Sequence, residues 1–248
     1  MKFSPPLLDS FDQPLWKGKD VFNILAGIGV FFAAGLAAIY AYNGRLPSGS
    51  AQSVQPSLLL SVSLGLLECI ALLGGVYLFG LHRKKQTWKA ITNQPLREPW
   101  GWITVFAGLI VVLLSGYIAT LIQLLLGLSM ENPQLSFLAP DGFSWLAFGA
   151  ILLTGGILAP LAEEIFFRGV LFRYFDWLWG FWPAALASSF FFGLLHRDIA
   201  IGGAAFLMGI LLAWMYAQSR SLWPSIIIHI MNNSLKIILL YFLIAKGF

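Results

Sequence analysis

Charged residues are scarce in this sequence. Lys, Arg, Asp and Glu make up 10% of the 248 residues, whereas a soluble domain carries about 25%. Hydrophobic residues reach 58%, and the mean hydropathy is +0.80. Several nearly uncharged runs are as long as the roughly 20 residues that cross a bilayer as a helix. The composition excludes an ordinary soluble domain and predicts an all-α, polytopic transmembrane bundle of about seven to eight helices.

Cysteine is nearly absent as well. Cys69, the single cysteine, lies inside an apolar run. A disulfide, a cysteine-ligated zinc site and a Cys–His dyad are therefore all disfavoured. The net charge of +4 comes from basic residues in short loops beside apolar runs, where membrane topology explains them better than nucleic-acid binding. The sequence therefore predicts the lipid bilayer, and no nucleic acid, as a partner.

The apolar runs divide the chain into a tail and two groups of helices. Residues 1–20 are predicted to be a cytoplasmic tail, because the apolar segment of a signal peptide does not follow Lys2 directly. Residues 21–139 are predicted to form N-terminal transmembrane helices, and residues 140–246 a C-terminal helical core. Pro160 predicts a kink at the end of the fourth span. The helices are predicted at 21–42, 58–81, 102–128, 143–161, 161–178, 182–195, 199–217 and 222–245.

Basic residues in the loops predict the orientation. The loop 82–100 holds five Lys and Arg, the loop 129–142 holds none, and the N-terminal tail holds three Lys. Cytoplasmic loops of membrane proteins are enriched in Lys and Arg. The N-terminus and the loop 82–100 are therefore predicted to be cytoplasmic, in a bacterial inner membrane or in an organelle or thylakoid membrane.

The stretch LAEEIFFRGVLF, residues 161–172, places three charges in apolar surroundings. Such a charge costs about 2.5–3.5 kcal/mol at the centre of a membrane helix, so it usually faces a partner or a cavity. Glu164 and Arg168 are four residues apart, in the favourable order for an ion pair. Glu163 points about 100° away and is left without that partner. Glu68 is the only charge at depth in the first half of the chain.

Burial beside a like charge favours the neutral form of a carboxyl group, and a carboxyl tuned in this way can act as a general base. Glu163 is therefore a candidate base. The alternative is a structural ion pair, with the Glu163 side chain reaching to the membrane interface.

Two histidines and an asparagine supply further polar groups. His196 ends the segment SSFFFGLLHRD, and His229 and Asn233 lie in SIIIHIMNNSLK. His229 and Asn233 are four residues apart and share a helix face, so two donors could converge on an oxyanion. Asn232 could replace Asn233 geometrically. The alternative interpretations are a capping or core histidine and hydrogen bonds that hold helices together.

Together these residues suit the attack of water on a carbonyl group. Glu163 would take the proton of the water, and His196 would help to place that water. His229 and Asn233 would stabilise the tetrahedral oxyanion. A positioned base contributes about 10²–10⁴-fold to the rate.

Three motifs, EEIFFR, FGLLH and HIMNN, occur in this order on apolar helices. The sequence resembles the CPBP family of CAAX proteases and bacteriocin-processing enzymes (Abi), which includes the type II CAAX prenyl endopeptidases. The resemblance covers residues 140–245. It implies a membrane-embedded glutamate endopeptidase whose helical core opens to membrane and cytosol, with no cofactor and with a protein or peptide substrate, lipidated or not. The implied residues are Glu163 as base with His196, His229 and Asn233 as oxyanion site, and Glu164 and Arg168 in support.

Two other functions stay open at this point. Glu163, His196 and His229 could form a zinc triad, although the His-Glu-x-x-His signature is absent. A membrane regulator or scaffold that cuts nothing could use the same residues as interhelical contacts. A transporter is disfavoured, since polar residues concentrate in the C-terminal half and no repeat is present.

Overall fold

The protein is described by a computed structural model that covers residues 14–43, 57–92, 99–129, 134–140 and 142–247. Over these ranges the chain forms nine helices and no β-strand. Six of the helices are long and apolar enough to cross a membrane. The predicted all-α, polytopic bundle is confirmed.

The helices follow the predicted apolar runs to within a few residues. We number them in chain order as α1 Gly18–Asn43, α2 Leu58–Lys84, α3 Lys89–Thr92, α4 Trp100–Leu126, α5 Leu135–Leu138, α6 Trp145–Trp179, α7 Phe181–Leu194, α8 Ile199–Ser219 and α9 Trp223–Ala245. Helix α2 changes from α to π winding at Gly75–Leu81, and α6 contains two π segments, Leu152–Leu158 and Phe167–Phe172.

Helix α6 joins two segments that the sequence predicts separately, 143–161 and 161–178. It is one helical run of 35 residues, about 50 Å long at 1.5 Å per residue. The hydrocarbon core of a bilayer is roughly 30 Å thick. Helix α6 is therefore long enough to cross the membrane and to extend beyond it.

Pro160 is accommodated in α6 by partners from α9. Proline has no backbone N–H, so a preceding carbonyl group loses its helical donor. The Gly155 oxygen accepts a hydrogen bond from Asn233 Nδ2 at 3.3 Å, and the Gly156 oxygen accepts one from Ser234 Oγ at 3.0 Å. The proline thus opens backbone acceptors that hold α9 against α6.

The C-terminal half of α6 is the centre of the core. Residues 164–172 are buried on every side of the helix, and they pack against α7 and α8. Helices α7 and α8 cross at two glycines, where a Cβ atom on Gly193 would lie 2.5 Å from the Gly202 oxygen. Large apolar side chains on α4 are instead exposed, such as Leu113 and Leu125, as expected for a face in contact with lipid.

Contacts between helix ends show which segments share one end of the bundle. Lys84 Nζ lies 2.8 Å from Asp20 Oδ2, which joins the end of α2 to the start of α1. Arg173 Nη1 donates to the Ala90 oxygen at 2.7 Å, which places the second half of α6 beside α3, the short helix that follows α2. The N-terminal side of α1 and the residues after α2 therefore lie together, and the cytoplasmic assignment of this end stays a prediction.

Two further hydrogen bonds mark the opposite ends. Trp16 is buried, and its Nε1 donates to the Gly169 oxygen at 2.7 Å. Tyr241 Oη donates to the Leu138 oxygen at 3.0 Å, which joins the end of α9 to α5. Helix α9 therefore begins at the end of the bundle that holds Trp16 and finishes at the other end.

Candidate active site

An ion pair between Glu164 and Arg168 lies at the centre of the candidate site. Arg168 Nη1 donates to Glu164 Oε1 at 2.8 Å, and both side chains are fully buried. Arg168 Nη2 also donates to the Gly209 oxygen at 3.1 Å, and the guanidinium carbon lies 4.7 Å from the centre of the Phe192 ring. The spacing of Glu164 and Arg168 predicts their ion pair. Arg168 also connects α6 to α7 through Phe192 and to α8 through Gly209.

His229 on α9 contacts both glutamates. Its Nδ1 lies 2.9 Å from Glu164 Oε1, and its Nε2 lies 3.6 Å from Glu163 Oε2. A carboxylate can only accept hydrogen bonds, so Nδ1 carries the proton and Nε2 faces Glu163. The contact between His229 and Glu164 is not predicted by the sequence, because the two residues are 65 positions apart.

Glu163 is less enclosed than Glu164. The side chain of Glu163 is 14% exposed, and among the described residues its Oε2 has no hydrogen-bond partner. Its carboxyl group also meets the carboxyl group of Glu68 on α2. Glu163 therefore has one buried oxygen near the His229 ring that accepts no hydrogen bond from the described protein.

His196 and His229 both pack against the ring of Phe192. The centre of its ring is 5.1 Å from that of Phe192, and the centre of the His229 ring is 5.4 Å from it. His196 Nδ1 lies 2.9 Å from the Phe192 oxygen, so Nδ1 donates and Nε2 remains an acceptor. Burial lowers the pKa of His196, and the nearby His229 and Lys236 add to this effect. His196 is therefore neutral at pH 7, and within the described chain it makes no direct ion pair with Glu163.

A chain of hydrogen bonds runs from α4 through two asparagines of α9 to α6. Ser115 Oγ donates to Asn232 Oδ1 at 2.8 Å, and Asn232 Nδ2 donates to Asn233 Oδ1 at 3.0 Å. Asn233 Nδ2 in turn donates to the Gly155 oxygen, which leaves its second N–H hydrogen free to bind another acceptor. Asn232 thus orients Asn233, and Ser115 orients Asn232. The sequence does not single out Ser115, because the same span also contains Thr104, Thr120 and Gln123.

The zinc triad that the sequence permits is not assembled. Across the parts of the chain that the structure describes, no three His, Cys, Asp or Glu side chains are placed to hold one metal ion. Glu163 and His229 are neighbours, but His196 binds the backbone of its own helix. The structure thus brings together Glu163, Glu164, Arg168 and His229. His196 is linked to this group through Phe192, and Asn233 lies one helical turn after His229.

Fold and site together define a polytopic membrane protein with acid–base groups inside its helical bundle. Residues 144–235 match the family described as type II CAAX prenyl endopeptidase Rce1-like. A curated protein named "Putative membrane peptidase YdiL", from Bacillus subtilis (strain 168), is 32% identical over 89 residues. This alignment covers 36% of the present chain and 36% of that protein. No solved structure matches the chain.

The family match contains all three motifs, from Glu163 to Asn233. The resemblance to the CAAX-protease family is therefore confirmed over this part of the chain. In broad terms, the two matches support a membrane-embedded protease.

Proposed function

We propose that the protein is an intramembrane endopeptidase in which Glu163 activates water to hydrolyse a peptide bond. The observation that carries the proposal is the position of Glu163 Oε2. This oxygen is buried, lacks a hydrogen bond from the described protein, and lies 3.6 Å from His229 Nε2. Glu164 Oε2 also has no partner in the described protein. Glu164 is nevertheless less suited to the role, because its side chain is fully buried and its Oε1 accepts from Arg168 and His229.

The proposed reaction moves one proton through Glu163. As the water oxygen bonds to the substrate carbonyl carbon, Glu163 takes a proton from that water. When the C–N bond breaks, Glu163 returns this proton to the leaving amine and becomes a carboxylate again. General-base catalysis of this kind contributes about 10²–10⁴-fold.

His229 and Asn233 are proposed to stabilise the oxyanion. Because Nδ1 of His229 already donates to Glu164, the ring can donate from Nε2 only as an imidazolium ion. The positive charge of Arg168 lies against the Glu164 carboxylate behind this ring. Asn233 adds its second N–H hydrogen. Loss of one such donor costs about 10²–10³ in turnover.

His196 is proposed to place the attacking water. Its Nδ1 donates to the Phe192 oxygen, so the neutral ring offers Nε2 as an acceptor for the hydrogen that Glu163 does not take. Glu164 and Arg168 are proposed to support the site, because Arg168 binds Glu164 and Glu164 accepts from Nδ1 of His229 and so orients its ring.

The proposed substrate is a protein or peptide that reaches the site from the membrane, with lipidated substrates included. The curated family description names prenyl endopeptidases, and an apolar bundle that holds its polar groups at depth suits a substrate anchored in lipid. The N-terminus is proposed to be cytoplasmic, from the Lys and Arg in the tail and in the loop 82–100.

The test compares membrane peptides from cells that carry either the wild-type protein or Glu163→Gln. Glutamine keeps the size of the side chain but cannot take a proton, so we expect a set of cleavage products to disappear. Equal products in both cells would overturn the proposal and favour a regulator that binds without cutting. A parallel arm with a chelator distinguishes a zinc-dependent protease, whose products would also disappear in the wild-type sample.

A further inference from the structure

The first half of the chain contributes a carboxyl group to the candidate site. Gly65 and Glu68 are three residues apart on α2 and share one helix face. A Cβ atom on Gly65 would lie 3.5 Å from Thr154 Cβ on α6, so this face lies directly against α6. The side chain of Glu68 therefore points into the boundary between the two helices, where Glu163 lies.

The carboxyl groups of Glu68 and Glu163 are within hydrogen-bonding reach of each other. The other charged groups around Glu163 are Glu164 and Arg168 on its own helix and His229 on α9. Arg168 and His229 Nδ1 both bind Glu164. In the described part of the chain, no Lys or Arg forms an ion pair with Glu68.

Two carboxyl groups in this position must share a proton. An ionised carboxylate cannot donate, so a hydrogen bond between the two requires that one of them be protonated. Like charges that share a desolvated site also disfavour double ionisation, as in pairs of catalytic aspartates. Because Glu163 must be ionised to take a proton from water, the reactive form is the one in which the shared proton lies on Glu68.

Building on the proposed function, we infer that Glu68 is a positioning residue that shares a proton with Glu163 and, in the reactive form, donates a hydrogen bond to it. This bond keeps the Glu163 carboxylate turned with Oε2 toward His229. In the reaction, the water proton moves to Glu163 and then to the leaving amine, while Glu68 keeps its own proton throughout. In this form the site carries two carboxylates, Glu163 and Glu164, beside the positive charge of Arg168.

Two substitutions separate hydrogen bonding from packing. Glu68→Gln keeps an N–H donor for Glu163, whereas Glu68→Leu has a similar size and no donor. Loss of a hydrogen bond to a charged group corresponds to about 10–100-fold in rate. We therefore expect Glu68→Leu to reduce the products seen in the membrane-peptide comparison to that extent, and Glu68→Gln to lose at least about tenfold less than Glu68→Leu. Equal losses in both variants, or no loss in Glu68→Leu, would overturn the inference.

Infrared spectroscopy tests the proton directly and does not depend on activity. The purified wild-type protein should show a protonated carboxyl C=O band that Glu68→Gln lacks. Asp20→Asn is the matched control, because Asp20 is ion-paired to Lys84, and it should keep the band. If Glu68→Gln keeps the band, the inference fails. If the band behaves as expected but no cleavage depends on Glu163, the carboxyl pair stands and the proposed protease function fails.

Discussion

Replacement of Arg168 by methionine tests how strongly the site depends on its buried cation. Arg168 is fully buried and joins three helices through Glu164, the Gly209 oxygen and the Phe192 ring. Arg168→Met removes the positive charge and leaves Glu164 in the core with only His229 as a partner. The variant therefore exposes the full cost of a buried carboxylate that has lost its counter-charge.

The expected cost is large for a single substitution. Removing one partner of a buried ion pair destabilises a protein by about 3–5 kcal/mol. At 2–4 °C per kcal/mol for a chain of this size, the melting midpoint should fall by about 6–20 °C. The double variant Glu164→Leu with Arg168→Met removes both charges and leaves His229 Nδ1 without its acceptor, at about 1–3 kcal/mol. It should therefore be more stable than Arg168→Met alone.

The assay is thermal unfolding of the purified protein in detergent, followed for the wild-type chain and for the single and double variants. We expect the melting midpoints to fall in the order wild type, double variant, single variant. If the double variant melts at or below the single one, the charge on Glu164 is not what destabilises Arg168→Met. A midpoint for Arg168→Met within a degree or two of the wild type would likewise refute the account of a buried pair.

Three further predictions concern packing, orientation and pH. Gly193→Val should lower the melting midpoint and the yield of folded protein, because a Cβ atom there would lie 2.5 Å from the Gly202 oxygen. A Cβ atom on Gly149 would have no neighbour within 4 Å, so Gly149→Ala should be neutral or slightly stabilising. Ser115→Ala should reduce cleavage more than it reduces thermal stability, since it removes the donor that orients Asn232. Burial lowers the pKa of His196, so the unfolded chain binds a proton at this residue more readily than the folded protein does. The free energy of unfolding should therefore be unaffected by His196 protonation above about pH 6.5 and should decrease as the pH falls toward the folded-state pKa. Melting midpoints across this range should show that slope in the wild type and a shallower one in His196→Gln.

Local features of the site could be predicted from the sequence. Glu164 and Arg168 are one helical turn apart, so their ion pair depends on helix geometry alone, and the structure contains it. The long apolar runs likewise place the helices to within a few residues. The two predicted segments 143–161 and 161–178 are in fact one helix, because Asn233 and Ser234 satisfy the carbonyl groups around Pro160.

Contacts between distant helices could not be predicted in this way. The bond from His229 to Glu164 and the approach of Glu68 to Glu163 depend on how α2, α6 and α9 pack. Helix periodicity states which residues share a face, but it does not state which face meets which neighbour. The same holds for Ser115, whose role follows only from the contact of α4 with α9. The catalytic roles of Glu163, His196, His229 and Asn233 stay predictions.

The most direct test of the central claim is the rate of peptide-bond cleavage by purified wild-type and Glu163→Gln protein in liposomes. The probe is a peptide whose cleavage the membrane comparison identifies. If Glu163 is the general base, Glu163→Gln should lose at least about 10²-fold in rate while its melting midpoint stays near that of the wild type. A folded Glu163→Gln protein that cleaves at close to the wild-type rate would contradict the account.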